Sequence, residues 1–253
     1  MKIIILYLHV SAKSDPNAPE PSYYLPYSVR FSRTFEEHPP GIDHELVVVS
    51  CGKPIQEDGM YLYRNIADRY ELYEGSGWDL GSYQAIAKTL DCDWVVCLAT
   101  PVYFKREGWL RRFAEAFNEH GDGLYGAMAS YENRPHIRTS SFAFKPETMI
   151  KYPHLIDSRE KCFRFECGCD SHGQPLFLDW CVTYWMMQQG KPAMMVTWDG
   201  VYHMQDWRKP QNIFRRGDQS NCIVFDRHND IHESATPKDK KILEQLADVG
   251  HYP

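Results

Sequence analysis

The sequence predicts a single α/β domain, a mixed sheet flanked by helices, and three observations carry that prediction. Apolar runs of strand length recur at Ile3-Ile4-Ile5-Leu6-Tyr7-Leu8, at Leu46-Val47-Val48-Val49 and at Trp94-Val95-Val96-Cys97-Leu98. Runs without polar alternation belong to strands buried on both faces. Helical periodicity separates them, so strands and helices alternate in the order of a parallel sheet. Finally, 253 residues at 43% hydrophobic and 25% charged suffice for one large core.

The first run, residues 3–8, is followed by a Ser/Asp/Pro/Asn stretch that reads as a loop. A helix is expected over 24–37, a strand over 45–50 ending at Cys51-Gly52, and a short strand over 69–73 ending at Glu74-Gly75-Ser76-Gly77. Leu80, Tyr83, Ile86, Ala87 and Leu90 fall at helical spacing, which predicts a helix over 79–90, and a fourth strand follows over 93–98. Then come a helix over 107–119, strands over 123–129 and 139–144, and a loop rich in cysteine and glycine. A helix over 178–189 with Gly190 as its C-cap precedes a strand over 193–197. A polar loop and one final helix occupy 214–247. The single domain divides into segments 1–104, 105–213 and 214–253. In such sheets a ligand lies beyond the carboxyl ends of the strands, which here gathers His9, Cys51, Gly77, Thr100 and Pro101 around one crevice.

A net charge of −6 gives no long-range attraction for a polyphosphate backbone, which disfavours a general nucleic-acid binder. An aromatic content of 14%, with 16 Tyr and 7 Trp, favours a surface on which sugars or bases stack. Trp78, Tyr103, Trp180 and Trp198 are the candidate platforms, with ordinary packing as the competing reading. No apolar stretch of signal-peptide or membrane-span length follows the first strand, so a cytosolic, cytoplasmic location is expected. Most of the eight cysteines sit in apolar runs and read as reduced core thiols. Cys162, Cys167, Cys169 and His172 lie within eleven positions and are either a zinc site or a thiol-rich loop, the paired CxxC spacing being absent.

Several stretches resemble a known family. Gly77-Trp78-Asp79-Leu80-Gly81-Ser82-Tyr83-Gln84, Asp93-Trp94-Val95-Val96-Cys97-Leu98 and Trp109-Leu110 resemble the first half of inverting family-2-type glycosyltransferases of the GT-A fold. Leu178-Asp179-Trp180-Cys181, Gly190 and Trp198-Asp199-Gly200-Val201-Tyr202-His203 resemble the second half. His136-Ile137-Arg138-Thr139-Ser140-Ser141-Phe142-Ala143-Phe144 and Phe214-Arg215-Arg216-Gly217-Asp218-Gln219-Ser220-Asn221 are similar to rhamnan-synthesis-type and uncharacterised bacterial or phage members.

The resemblance implies a GT-A-like Rossmann-type mixed sheet and an enzyme of polysaccharide biosynthesis. Its reaction would move a hexosyl or deoxyhexosyl group, with inversion, from a nucleotide diphosphate sugar to a saccharide or other hydroxyl acceptor. It implies Asp179 as the general base, with Glu166 and Asp170 in reserve; Asp179 as N-cap of its own helix is the competing reading. His9, Cys51, Gly77, Trp78, Asp79, Thr100 and Pro101 would line the donor, with Asp79 and the glycine turn at the nucleoside. Arg215 and Arg216 would fold over the diphosphate or form a solvated basic turn. His136 and Arg138 would orient donor or acceptor, or serve structure alone.

His203 falls where the family has a metal ligand. The Asp-x-Asp motif that would hold Mn or Mg is replaced by Leu98-Ala99-Thr100-Pro101, so a divalent metal would lack its usual ligands. Two other functions share the scaffold: a non-catalytic nucleotide-sugar-binding protein, and a transferase that glycosylates modified bases in DNA. The acidic charge counts against the second.

Overall fold

The computed structural model describes residues 1–11, 20–170, 172–174, 177–210 and 212–247. The loop expected after the first strand falls mostly within 12–19, outside the described residues. The first half alternates as expected: β1 (Ile3–Val10), α1 (Pro21–Glu37), β2 (Glu45–Cys51), α2 (Glu57–Tyr63), β3 (Arg69–Tyr73), α3 (Trp78–Ala87) and β4 (Trp94–Leu98). The second half contains α4 (Trp109–His120), β5 (Leu124–Gly126), β6 (Ala129–Ser130), β7 (His136–Ile137), β8 (Ser141–Phe144), α5 (Pro146–Lys151) and α6 (Arg159–Cys167). It closes with α7 (Val182–Gln188), β9 (Ala193–Val196), β10 (Val201–His203), α8 (Arg227–Ser234) and α9 (Pro237–Ala247).

One sheet of eight strands in the order β10-β9-β5-β8-β4-β1-β2-β3 organises the chain. The block β4-β1-β2-β3 is parallel throughout, with Ile5 opposite both Leu46 and Val96. Beside it, β8 runs antiparallel to β4 and to β5, while β5 and β9 are again parallel and β10 is antiparallel to β9. The architecture is therefore the α/β, Rossmann-type mixed sheet flanked by helices.

Side-chain alternation along β1 explains its unbroken apolar run. Ile4, Leu6 and Leu8 enter a core shared with Leu80, Tyr83 and Phe165 on one face. Ile3, Ile5 and Tyr7 enter a second core with Phe31, Phe35, Trp109 and Phe113 on the other. A strand covered by helices on both sides has no polar face, and period-2 geometry divides its residues between two cores. Among the described residues no helix is long and apolar enough to cross a membrane.

Several expected elements differ. The 123–129 strand ends at Gly126, and the chain then leaves the main sheet for the small β6–β7 pair. The 178–189 helix is broken: Leu178–Trp180 is a 3-10 turn, Cys181 is extended at φ −65° and ψ 117°, and only then does α7 begin. The cysteine-rich stretch contains α6, whose Ser158 side chain caps the Lys161 N–H and whose Gly168 ends it at φ 68°. The C-terminal segment forms two helices, α8 and α9, instead of one.

Candidate active site

A cavity of about 250 Å³ opens at the carboxyl ends of β1, β2 and β4, the place where open α/β sheets bind ligands. Leu8, Cys51, Ala99, Thr100 and Pro101 form its floor along the sheet edge. That edge is locked from below: Thr100 Oγ1 donates to the Leu8 carbonyl at 2.9 Å, and Tyr7 Oη donates to the Thr100 carbonyl at 3.1 Å. Tyr24 and Tyr27 of α1 and Trp78 of α3 supply aromatic walls. Arg138, Thr139 and Glu166 form another wall, and Asp226, Arg227 and His228 at the start of α8 complete it.

The turn into α3 is shaped by steric limits. A Cβ on Gly77 would lie 2.0 Å from the Ile156 carbonyl oxygen, so only glycine permits this approach. The next residue, Trp78, has φ 52°, a left-handed conformation that costs a bulky side chain about 1–3 kcal/mol. Cys51 Sγ donates to the Trp78 carbonyl at 3.6 Å, and Arg159 lies 5.3 Å from the indole ring. The indole is thereby held at the mouth of the cavity.

Of the three carboxylates that line this space, Asp79 and Glu166 stand in opposite electrostatic settings. Burial pushes the Asp79 carboxyl up to about 6, against the Leu80 N–H that donates to it at 2.9 Å and with a further rise from the charge of Glu166. Burial also acts to raise Glu166, but Arg138 at 3.2 Å, with His136 and the Thr139 N–H, outweighs it and holds Glu166 below the usual carboxylate range. Arg138 also stacks 4.1 Å from the Phe214 ring. Such divergence within one pocket separates a group that can exchange a proton near neutrality from one that stays charged.

The start of α8 is rigid. Asp226 accepts from the His228 N–H at 2.7 Å while its own N–H donates to Asn229 Oδ1 at 2.7 Å, a reciprocal cap. Burial pushes the pKa of His228 down to about 4, so it is neutral near pH 7. Asp230 ties the helix to α1 through Arg30, at 2.5 and 3.3 Å, and accepts from Tyr103 Oη at 2.6 Å.

The cavity gathers Cys51, Trp78, Asp79, Thr100, Pro101, Arg138 and Glu166 from the residues singled out in the sequence. Asp179 is elsewhere and is corrected: its side chain is 70% exposed, 3.9 Å from His154 Nε2, and lines no part of the cavity. It lies within the 3-10 turn and makes no side-chain cap, so the N-cap reading fails too. Asp170 is likewise outside, accepting the His172 and Gln174 N–H groups of its own turn. Arg215 pairs with Glu132 at 3.1 Å, and Arg216 lines a separate depression with Glu244, so neither arginine lines this cavity. Arg138 and Arg227 stand there instead.

His9 also lies outside the lining, with Nδ1 2.8 Å from Tyr63 Oη. Gly77 acts behind the wall by permitting the turn. His136 is buried behind Arg138, with Nδ1 2.8 Å from the Arg134 carbonyl. Of the other aromatic candidates, Trp180 stacks on His154, Tyr103 carries the Arg30 guanidinium, and Trp198 lines a different cavity. Val10, Tyr24, Tyr27, Asp226, Arg227 and His228 are pocket residues that sequence reasoning missed.

The residues present do not fit a divalent cation. Glu166 is committed to Arg138, Asp226 caps α8, Asp79 accepts the Leu80 N–H, and the end of β4 carries no carboxylate. His203 is corrected as a metal ligand: it sits on β10 at the opposite end of the sheet, with the His120 ring 6.2 Å away. Among the described residues no three His, Cys, Asp or Glu side chains form a group able to hold a metal ion. The thiols of Cys162, Cys167 and Cys169 instead donate to the carbonyls of Gly77, Phe163 and Cys167.

No family model matches the chain, and no curated protein matches it. The family-level resemblance, rhamnan-synthesis-type members included, thus rests on the quoted residues alone. Similar solved structures include S. aureus TarS, at 14% identity and TM-score 0.41, covering 60% of this chain and 30% of that one. TarS 1-349 of S. aureus in complex with UDP matches at 14% and 0.41, covering 59% and 48%. A putative glucose-1-phosphate thymidylyltransferase from Bacillus anthracis matches at 10% and 0.45, covering 99% and 97%. The chain spans less than half the length of the TarS chains, and at these identities no residue role passes from them to it.

Proposed function

We propose that the protein is a glycosyltransferase that takes a nucleotide diphosphate sugar into the cavity at the strand ends and transfers the sugar to an acceptor hydroxyl with inversion. The observation that carries this reading is the cavity at the carboxyl ends of β1, β2 and β4, where Tyr24, Tyr27 and Trp78 meet Asp79, Arg227 and the Arg138–Glu166 pair; burial that raises Asp79 to about 6 supports it. Asp79 replaces Asp179 as the general base. It takes the proton as the acceptor oxygen bonds to the anomeric carbon and the bond from that carbon to the diphosphate breaks. Arg227 and Arg138 face the charge that develops on the leaving diphosphate. Tyr24, Tyr27 and Trp78 offer flat faces to base or sugar.

The test combines binding with turnover on the full chain. A thermal-shift screen with UDP-, GDP-, dTDP- and CDP-sugars is expected to identify a donor, and slow release of nucleoside diphosphate reports its cleavage. Asp79→Asn should keep the thermal shift and lose roughly a hundredfold or more in turnover. Loss of the shift together with turnover would make Asp79 a nucleoside ligand and remove it as the base. Binding without turnover in the wild type would favour a non-catalytic nucleotide-sugar-binding protein, a reading to which the uncharged end of β4 lends weight.

A further inference from the structure

A second cavity, of about 510 Å³, shares no residue with the first; it is lined by Pro39, Gly41, Glu107, Gly108, Glu115, Trp198 and the arginines 106, 111 and 112. Three guanidinium groups meet two carboxylates there. Glu115, 57% exposed, reaches only Arg112, at 3.7 Å. Among the described residues no carboxylate lies within ion-pair distance of Arg106 or Arg111.

The arginines are held in place from behind. Arg111 Nε donates to the Gly41 carbonyl at 2.7 Å, and Arg112 Nε donates to the Thr197 carbonyl at 2.8 Å. Bonding through Nε fixes the plane of a guanidinium and leaves its outer Nη edge for an oxyanion. Arg106 lies over Trp198 with Cζ 4.2 Å from the ring centroid, a contact that places it without neutralising it.

The backbone is adapted to this packing. A Cβ on Gly41, at φ +83°, would lie 2.8 Å from Gly108 Cα and 2.9 Å from Arg111 Nη2. Gly108, at φ 80°, opens α4, and the Pro39 and Pro40 carbonyls accept from the Gly108 and Arg111 N–H groups at 2.8 and 3.1 Å, which fixes the start of the helix that carries Arg111 and Arg112.

We propose that this cavity is a binding site for a phosphate dianion, either free or carried by a saccharide as a monoester, separate from the pocket at the strand ends. Several fixed donors around a space larger than one tetrahedral ion suit a dianion with many acceptor oxygens, and Trp198 provides a surface for an attached sugar. Free inorganic phosphate and the phosphate of a phosphorylated saccharide present the same chemistry to the arginines.

The test is an NMR titration of the isotope-labelled full chain with inorganic phosphate and, separately, with a hexose phosphate. The Gly41 and Gly108 amide signals and the Trp198 indole N–H signal are expected to shift saturably with both. The double variant Arg106→Gln/Arg111→Gln should bind about a hundredfold more weakly, since each of the two lost charge-assisted contacts is worth roughly a factor of ten. Arg106→Gln alone, at an exposed position, keeps the test open if the double variant fails to fold. Tighter binding of the hexose phosphate identifies a phosphosaccharide as the ligand, and tighter binding of inorganic phosphate identifies the free ion; equal affinity shows that the arginines read the phosphate group alone. Unmoved signals, or unchanged affinity in the folded variants, would overturn the proposal. Since no nucleotide sugar is used and no lining residue is shared, the result is independent of the proposed transferase activity.

Discussion

Along the sheet edge the pocket at the strand ends is bounded by Leu8, Cys51, Ala99, Thr100 and Pro101, whereas on the helical side it is bounded by Asp79, Arg138, Glu166 and Arg227. The first wall is uncharged and fixed by hydrogen bonds within the sheet; the second is charged and fixed by pairing between helices and loops. A parallel sheet covered on both faces has little room for charge, so it contributes shape. Helix starts and loops carry the ionisable groups. Substitutions in the two walls should therefore fail in different ways.

The largest effect is expected at the ion pair. Glu166→Ala leaves the Arg138 guanidinium buried without its carboxylate, and breaking such a pair costs about 3–5 kcal/mol. The loss would be read as a lowered denaturant midpoint with an unchanged slope. A loss below about 1 kcal/mol, the size of a surface pair, would show that the helical wall is not built on this contact.

Asp79 should act in the opposite direction. Its folded-state pKa is raised, so the native state binds more protons than the unfolded state between about pH 4 and pH 6, and stability falls as pH rises through that window. Asp79→Asn is therefore expected to be more stable than the wild type near pH 7, by roughly 2 kcal/mol after allowance for partial exposure, with the gap closing near pH 4. Parallel melting curves across the range would mean that the carboxyl is not strained by burial.

The uncharged wall predicts a smaller and pH-independent change. Thr100→Val removes the hydroxyl bond to the Leu8 carbonyl and should cost about 1 kcal/mol, leaving the pH profile of any turnover where it was. A displaced profile would show that the sheet edge tunes the proton-exchanging group after all. Least of all should change in Asp179→Asn, whose side chain is exposed and remote from the lining: turnover within about twofold and stability within about 0.5 kcal/mol. A large loss of turnover there would restore Asp179 and displace Asp79.

The contrast also explains what the sequence could express. Residues 3–8, 45–50 and 93–98 were legible as strands because two buried faces demand uninterrupted apolar runs. The crevice at their ends followed from the topology rule, and Cys51, Thr100 and Pro101 came with it. Glu166 was noticed as a carboxylate but its helix was not. Arg, Glu, Lys and Cys disguise α6 as a loop, although Ser158 and Gly168 mark its two ends.

Asp179 failed because the direction of a side chain depends on a break at Cys181 that no residue type announces. Arg215 and Arg216 drew attention as a basic pair, while Arg227 stood alone inside Asp226-Arg227-His228-Asn229. In that segment the Asp and the Asn three positions later were the readable sign of a capped helix. The fold was thus carried by local periodicity, and much of the site by contacts between segments distant in sequence.

The clasp between Arg30 and Asp230 joins positions 200 residues apart. A chain emerging from the ribosome can assemble β1 to β4 well before residues 226–234 are made, yet the wall bearing Arg227 and His228 is added only once α8 has formed. Ligand affinity should thus lag behind assembly of these strands during biosynthesis and vanish on deletion of α8, even where the sheet survives.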